Sequence, residues 1–261
     1  MYPTLTSKDN RLIKLYAKLC GSKSTREKEG LFTVEGFKLF FEAIRSGMTV
    51  TTVFVTETLF EKRKEELLPL FACCGEVYLI PHSLENKLSQ VEAPQGIYAM
   101  VEKPSLLTDA ITPCKKAVLL CDLQDAGNVG TIIRTAEALG ITHIYATAHT
   151  CDFYNPKVVR STMGSLFRMQ LGVVSDAVSG IKSAQENGVT VYASVVSGEA
   201  KAVGSFAFDE NSLLLIGNEG NGLTAESAEA ADHRITIKMT GNAESLNASA
   251  AACILMWEMK K

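Results

Sequence analysis

From residue 115 to residue 259, short apolar runs alternate with segments of helical period, and most runs end in a polar turn. The pattern predicts strands at 117–122, 143–147, 168–174, 189–195, 212–217 and 234–239. It predicts helices at 129–139, 156–164, 176–187, 224–231 and 245–259. Such alternation constrains the fold tightly, because parallel strands need a crossover and a helix usually supplies it. The expected fold class is α/β, with a mostly parallel sheet and helices on both faces. The sharpest unit is 118–140, V-L-L-C-D-L-Q-D-A-G-N-V-G-T-I-I-R-T-A-E-A-L-G. An apolar strand enters a polar loop, and Val129, Ile132, Ile133, Ala136 and Leu139 then repeat at helical spacing. In open α/β sheets, ligands bind at loops of this kind, at the carboxyl ends of strands. This loop carries Asn128, and Arg134 follows on the helix, off the apolar stripe. Spacing alone leaves Arg134 as either a solvated arginine or an anion-facing one.

The first hundred residues form a separate alternation. A basic amphipathic helix is expected at 8–20, with strands at 31–34, 51–55, 77–80 and 96–101. Helices are expected at 36–45, 59–71 and 83–88. Residues 1–104 therefore read as a small α/β domain. Residues 105–114, which hold Pro113 and little periodicity, read as a linker, and 115–261 as the second domain.

Bulk properties exclude several classes. The chain has 261 residues, 46% hydrophobic and 21% charged, which suits a globular protein with a sizeable core. A net charge of −3 provides no global field toward nucleic acid or membrane. The seven cysteines are odd in number and contain no C-x-x-C, so no disulfide framework is expected. The four histidines show no metal-ligand spacing, so no metal is expected. Neither a signal peptide nor a membrane-spanning run is legible, which makes the cytoplasm the expected compartment and a membrane partner unexpected. Locally the balance differs. Residues 1–30 hold Lys8, Arg11, Lys14, Lys18, Lys23, Arg26 and Lys28 against Asp9, Glu27 and Glu29. That excess suits either phosphate contact or a solvated helix face.

Two further strand-end segments complete the picture. Leu213–Thr224 reads L-L-L-I-G-N-E-G-N-G-L-T, a strand running into a glycine-rich loop centred on Glu219. The loop lacks the G-K-[ST] of a phosphate-binding loop and the G-x-G-x-x-G of a dinucleotide fold, and its acid would repel a pyrophosphate. Arg234–Asn247 reads R-I-T-I-K-M-T-G-N-A-E-S-L-N and leads into an alanine-rich helix that Ser245 or Asn247 could cap. Individually each segment is ambiguous. In this order and spacing they closely resemble the three motifs of the SpoU (TrmH-type) RNA ribose 2′-O-methyltransferases of the SPOUT class. The segment 157–167, K-V-V-R-S-T-M-G-S-L-F, is also similar to the family. So are F-T-V-E-G-F-K-L and A-P-Q-G-I-Y-A in the first domain, which resembles the family's RNA-binding domain.

The resemblance implies a deep trefoil knot at the C-terminus and S-adenosylmethionine as cofactor, bound in the knot. Gly217, Ile237 and Leu246 match its contacts, and Ile216, Met239 and Ser245 are expected to line the same pocket. Asn128, Arg134, Glu219, Ser245 and Asn247 match the residues implicated in activity. The implied reaction is methyl transfer to a ribose 2′-hydroxyl, in ribosomal RNA first and transfer RNA second. A non-catalytic RNA-binding or ribosome-assembly module of the same fold is the alternative. The resemblance also implies a homodimer, and it favours RNA contact by Lys8, Arg11, Lys14, Lys18 and Arg26. The chain departs from the family pattern at Ala126 and Lys238, where proline is usual, and at Ala248, where valine is common. Alternating strand parity places Lys238 away from the cofactor if Ile237 and Met239 face it.

Overall fold

The computed structural model describes residues 2–108, 110–111 and 115–261. Two compact units emerge, one of 1–104 with 152–167 and one of 105–151 with 168–261. In the first unit the elements are α1 (Arg11–Gly21), α2 (Lys23–Glu29), β1 (Leu31–Glu35), α3 (Phe37–Arg45), β2 (Val50–Thr56), α4 (Glu57–Lys62), α5 (Lys64–Phe71), β3 (Glu76–Ile80), α6 (Glu85–Leu88) and β4 (Ile97–Glu102). Its sheet has the order β1-β4-β2-β3, with β4 antiparallel to both neighbours and β2 parallel to β3. Ile13, Tyr16 and Leu19 of α1 pack with Phe54, Ile80 and Tyr98 in one buried cluster. Helix α2 was not legible from periodicity, since K-S-T-R-E-K-E has no apolar stripe. Ser22 starts it by accepting from the Thr25 N–H, and Gly30 ends it at φ 63°. The single helix expected at 59–71 is broken at Arg63 (φ −127°), whose guanidinium lies 4.4 Å from the Phe37 ring centroid. Hydrophobic spacing is blind to that break, because Phe60, Leu67 and Phe71 are buried on both sides of it.

The second unit contains β5 (Leu107–Thr108), β6 (Lys116–Leu120), α7 (Ala126–Ala138) and β7 (His143–Thr147). After α8 (Pro156–Ser161), which belongs to the first unit and packs on β1, come β8 (Gln170–Val174), α9 (Ala177–Glu186), β9 (Thr190–Ser194) and β10 (Lys201–Ala202). The chain closes with β11 (Ser212–Ile216), α10 (Ala225–Ala230), β12 (His233–Thr236) and α11 (Ala248–Lys260). The eight strands run β10-β12-β9-β11-β6-β7-β8-β5, and every pairing is parallel. Successive strands β6, β7 and β8 move toward one edge, while β9 enters beyond β11. The winding therefore reverses between β6 and β11, which is the position where open sheets leave a crevice.

Three expectations differ from the structure. The stretch expected as a linker is partly structural. Leu107 and Thr108 pair with Gly172 and Val173, and Ile111 is fully buried, its N–H held by Ser183 Oγ at 3.0 Å. A two-residue strand is too short to show periodicity. Residues 109 and 112–114 of that stretch lie outside the described residues. The segment 152–167, expected within the second domain, clusters with the first, where the Tyr154 and Phe32 rings sit 4.9 Å apart. The strand expected to reach residue 239 ends at Thr236. Residues 237–247 then run without regular structure, and α11 returns to pack against α7 and β11. A knotted C-terminus requires a return of this kind.

Candidate active site

The first loop is built by its own side chains. At the end of β6, Asp122 adopts φ 56°, which is rare for a residue with a side chain. Its N–H donates to Thr147 Oγ1 at 2.9 Å, and that hydroxyl donates to Asp122 Oδ1 at 2.5 Å. Asp125 caps α7 by accepting from the Asn128 N–H at 2.9 Å. Val129, Ile132, Ile133 and Ala136 are fully buried, so the apolar stripe fixes the helix rotation. Burial, with the Asp122 carboxylate nearby, pushes the Cys121 thiol up to about 12, so it stays neutral.

The second loop closes on itself. Asn218 and Gly222 exchange two backbone hydrogen bonds of 3.0 and 2.9 Å, and Gly222 has φ 67°. A Cβ on Gly217 would collide with the Gly222 carbonyl carbon, so only glycine fits there. Asn218 Nδ2 donates to the Asp122 carbonyl at 2.8 Å, tying the second loop to the first. Glu219 strengthens the tie. It accepts from the Gln124 N–H (3.2 Å), the Asp125 N–H (3.1 Å) and Asn128 Nδ2 (3.0 Å). Partial burial alone would raise this carboxyl, but the Asn128 amide and the backbone N–H groups outweigh it and hold it below its ordinary value.

The third segment joins the same chain of bonds. Asn247 Nδ2 donates to Asn128 Oδ1 at 3.1 Å, while Asn247 Oδ1 accepts from the Ser249 and Ala250 N–H groups and caps α11. Asn128 is 9% exposed, and both ends of its amide are paired. Asn247, not Ser245, is the cap. Glu219, Asn128 and Asn247, three of the residues singled out from sequence, thus form one connected line. Arg134 stands apart on the exposed face of α7, with no ion-pair or hydrogen-bond partner among the described residues.

A cleft of about 420 Å³ opens beside the second loop. Ile216, Gly217, Leu246 and Ser245, all expected there, line it. Ile237 and Met239 do not, although both are half-buried and Lys238 between them is exposed. Both lie past the end of β12, in the segment that leads to α11. The opposite wall comes from Ser194, Val195 and Val196 at the end of β9, where no motif marks the sequence. Among the described residues no lysine or arginine lines the cleft, and Glu219 does. Such walls suit a sulfonium cation carrying a flat adenine ring and disfavour phosphate, which fits S-adenosylmethionine. Gln124, Asp125, Asn218 and Thr147 were not singled out from sequence. All but Thr147 lie within the quoted motifs, but their roles rest on backbone contacts that spacing does not show.

The basic N-terminal residues divide. Lys8, Arg11, Lys14 and Lys18 are exposed, with Lys14 paired to Asp9 at 2.8 Å. Arg26 is 3% exposed and is not available to RNA. Its guanidinium binds Asp152 at 2.6 and 2.8 Å and the Leu19 carbonyl at 2.6 Å. The sequence placed it among surface cations because its partner lies 126 residues away.

Residues 115–257 match the model of the SpoU rRNA Methylase family. The chain belongs to this family. Residues 10–99 match the MRM3-like substrate binding domain, so the SpoU domain is preceded by a separate substrate-binding domain. Among curated relatives, the Bacillus subtilis 23S rRNA (guanosine(2553)-2′-O)-methyltransferase RlmP is 30% identical, covering 98% of each chain. The Streptomyces viridochromogenes 23S rRNA (uridine(2479)-2′-O)-methyltransferase is 32% identical over 97% of this chain and 90% of its own. Among solved SpoU-type structures, an AdoMet-bound rRNA methyltransferase from Sinorhizobium meliloti superposes with TM-score 0.87 at 28% identity, covering 99% of this chain and 97% of that one.

Proposed function

We propose that this protein transfers a methyl group from S-adenosylmethionine to a ribose 2′-hydroxyl of ribosomal RNA. The observation that carries the reading is the Glu219–Asn128–Asn247 line, which joins three sequence-distant loops beside one cleft whose walls suit the cofactor. Full-length similarity to two 23S rRNA ribose methyltransferases supports ribosomal RNA as the substrate.

Bound S-adenosylmethionine supplies an electrophilic methyl group. The residues supply positioning and charge. Glu219 is occupied by three donors, so it holds the loops and is not free to take the ribose proton. Asn128, paired at both ends, is likewise a positioning residue. A guanidinium is a poor base. The exposed one of Arg134 is suited to bind the phosphate beside the target ribose and to stabilise the developing alkoxide, the proton leaving to a phosphate oxygen or water. Holding the hydroxyl and the methyl group in attack geometry supplies much of the rate. Ser245 lines the cofactor side of the site. Lys8, Arg11, Lys14 and Lys18 are the proposed RNA contacts, and the cytoplasm is the proposed compartment.

The protein is proposed to act as a homodimer through α11. Ile254 and Trp257 are 41% and 55% exposed on that helix, an apolar pair that a second subunit would cover. Trp257→Lys is expected to shift the sedimenting species from dimer to monomer; a wild-type monomer at assay concentrations would refute the dimer.

Ribose-methylation mapping of total RNA from cells with and without this gene tests the function. One 23S rRNA site lost with the gene is the expected result. A lost transfer RNA site would move the substrate, and no lost site in any RNA would overturn the enzyme reading.

A further inference from the structure

Helix α3 turns an aromatic ring to solvent where an amphipathic helix normally presents a polar face. Leu39, Phe40 and Ala43 are its buried residues, and it packs on β1 and β4. Lys38, Phe41 and Arg45, spaced three and four apart, share the opposite stripe, and all three are exposed. Phe41, at the centre of the stripe, is 39% exposed. One turn before it lies Phe37, with the Arg63 guanidinium 4.4 Å from its ring centroid. Three cations thus border two neighbouring phenyl rings, all within the first unit.

Two acids offset part of that charge. Glu66 lies 3.3 Å from Arg63. Glu42 is the one acid of α3, and its carboxylate is 4.0 Å from Arg45. Its side chain packs under the turn at Gly164, where an added Cβ would lie 2.8 Å from the Glu42 Cβ. Lys38 has no ion-pair partner among the described residues, so the stripe keeps a positive balance. A lone apolar residue on a surface is ordinary. A ring bordered by cations one turn away on either side is the arrangement that holds single-stranded nucleic acid, where bases stack and phosphates are neutralised. A protein partner fits less well, because interface cores are depleted in lysine. Duplex RNA keeps its base faces stacked and offers none to the ring. The stripe also falls within residues 10–99, which match a substrate-binding domain.

We propose that the Lys38–Phe41–Arg45 face of α3 binds an unpaired segment of the substrate RNA, one base stacking on Phe41 and the adjoining phosphates meeting Lys38 and Arg45. The proposal rests on RNA being the substrate. It goes further in giving the first unit a stacking contact that selects unpaired RNA. This contact is separate from the phosphate contacts of α1, because α1 packs in the cluster of Phe54, Ile80 and Tyr98, which holds no residue of α3. The two also differ in kind. Phosphate contact releases counterions and weakens steeply with salt, whereas stacking releases none.

The test is fluorescence anisotropy of the full-length protein with a short mixed-sequence oligoribonucleotide, single-stranded or paired in a duplex, at several salt concentrations. Phe41→Ala is expected to weaken single-strand binding about tenfold, with duplex binding and the salt slope unchanged. Lys38→Gln with Arg45→Gln should instead lower the salt slope by about one per cation removed. Phe41→Trp keeps an aromatic face and should retain wild-type affinity. The emission it adds to that of the wild type should be quenched as single-stranded RNA saturates the protein. Denaturant unfolding of each variant separates lost binding from a lost fold, and Phe41→Trp decides the matter if Phe41→Ala unfolds. Unchanged single-strand affinity in a folded Phe41→Ala protein, or an equal loss on duplex RNA, would overturn the proposal. Added Phe41→Trp emission that RNA does not move would overturn it too, and would leave the face to a protein partner. Methyl incorporation into ribosomal RNA by the wild type tests the enzyme reading by itself. Incorporation with an idle Phe41 refutes only the stacking site; stacking without incorporation into any RNA refutes only the enzyme reading.

Discussion

Arg134 is exposed and, among the described residues, unpartnered, while its neighbours in the site are tied down. A guanidinium held this way is available to an incoming phosphate as a planar, bidentate donor, which lysine cannot imitate. Arg134→Lys is expected to lower methyl-transfer turnover at least tenfold with S-adenosylmethionine affinity unchanged, measured by tritiated-methyl incorporation and calorimetry. Full turnover in the variant would remove the specific guanidinium role. Glu219 behaves differently, as a tie held ionised by its donors. Its carboxyl lies below the ordinary value of 4.5 in the folded protein, so its contribution to stability is present above that value and is lost as pH falls through the folded one. The stability gap between wild type and Glu219→Gln should therefore narrow on acidification below about pH 4.5. A gap independent of pH would show that the carboxylate charge is not what holds the loops.

At the scale of elements, α7 and α11 are two helices whose starts are locked to one another. Asp125 caps the first, Asn247 caps the second, and the Asn128–Asn247 bond links them. Asn247→Ala removes a cap worth about 1 kcal/mol and leaves one end of the buried Asn128 amide unpaired. We expect a loss of about 2 kcal/mol in denaturant unfolding and weakened cofactor binding. Unchanged cofactor affinity would mean that the α11 start does not shape the cleft. These elements also show what was legible. Helix α7 was marked by its apolar stripe and α11 by its alanine run, and both appear within three residues of their expected starts. Helix α2 and strands β5 and β10 were not legible, because seven polar residues or two-residue strands carry no period. Ile237 and Met239 were assigned to the cofactor pocket by their match to the family's third motif; both lie beyond Thr236, where β12 ends.

At the scale of the whole molecule, basic residues stand in two different environments that charge counting cannot separate. Arg11 and Lys18 are exposed, whereas Arg26 is a buried half of an ion pair with Asp152. Arg11→Glu with Lys18→Glu should weaken RNA binding and flatten its salt dependence without affecting unfolding. Arg26→Ala should instead destabilise the fold by about 3–5 kcal/mol, since it strands a buried carboxylate. Filter binding at several salt concentrations, beside denaturant unfolding, checks both; a stable Arg26 variant with weakened RNA binding would return Arg26 to the RNA surface. The sequence by itself determined the alternating α/β architecture, the parallel sheet and the three loops that identify the family. Hydrophobic period and glycine chemistry are local properties, and they survive without knowledge of partners. Only the tertiary structure decided which polar groups meet: Glu219 with Asn128, Asn128 with Asn247, Arg26 with Asp152. Each of those contacts joins residues about a hundred positions apart, and their pairing exists only once the sheet has brought the strand ends together.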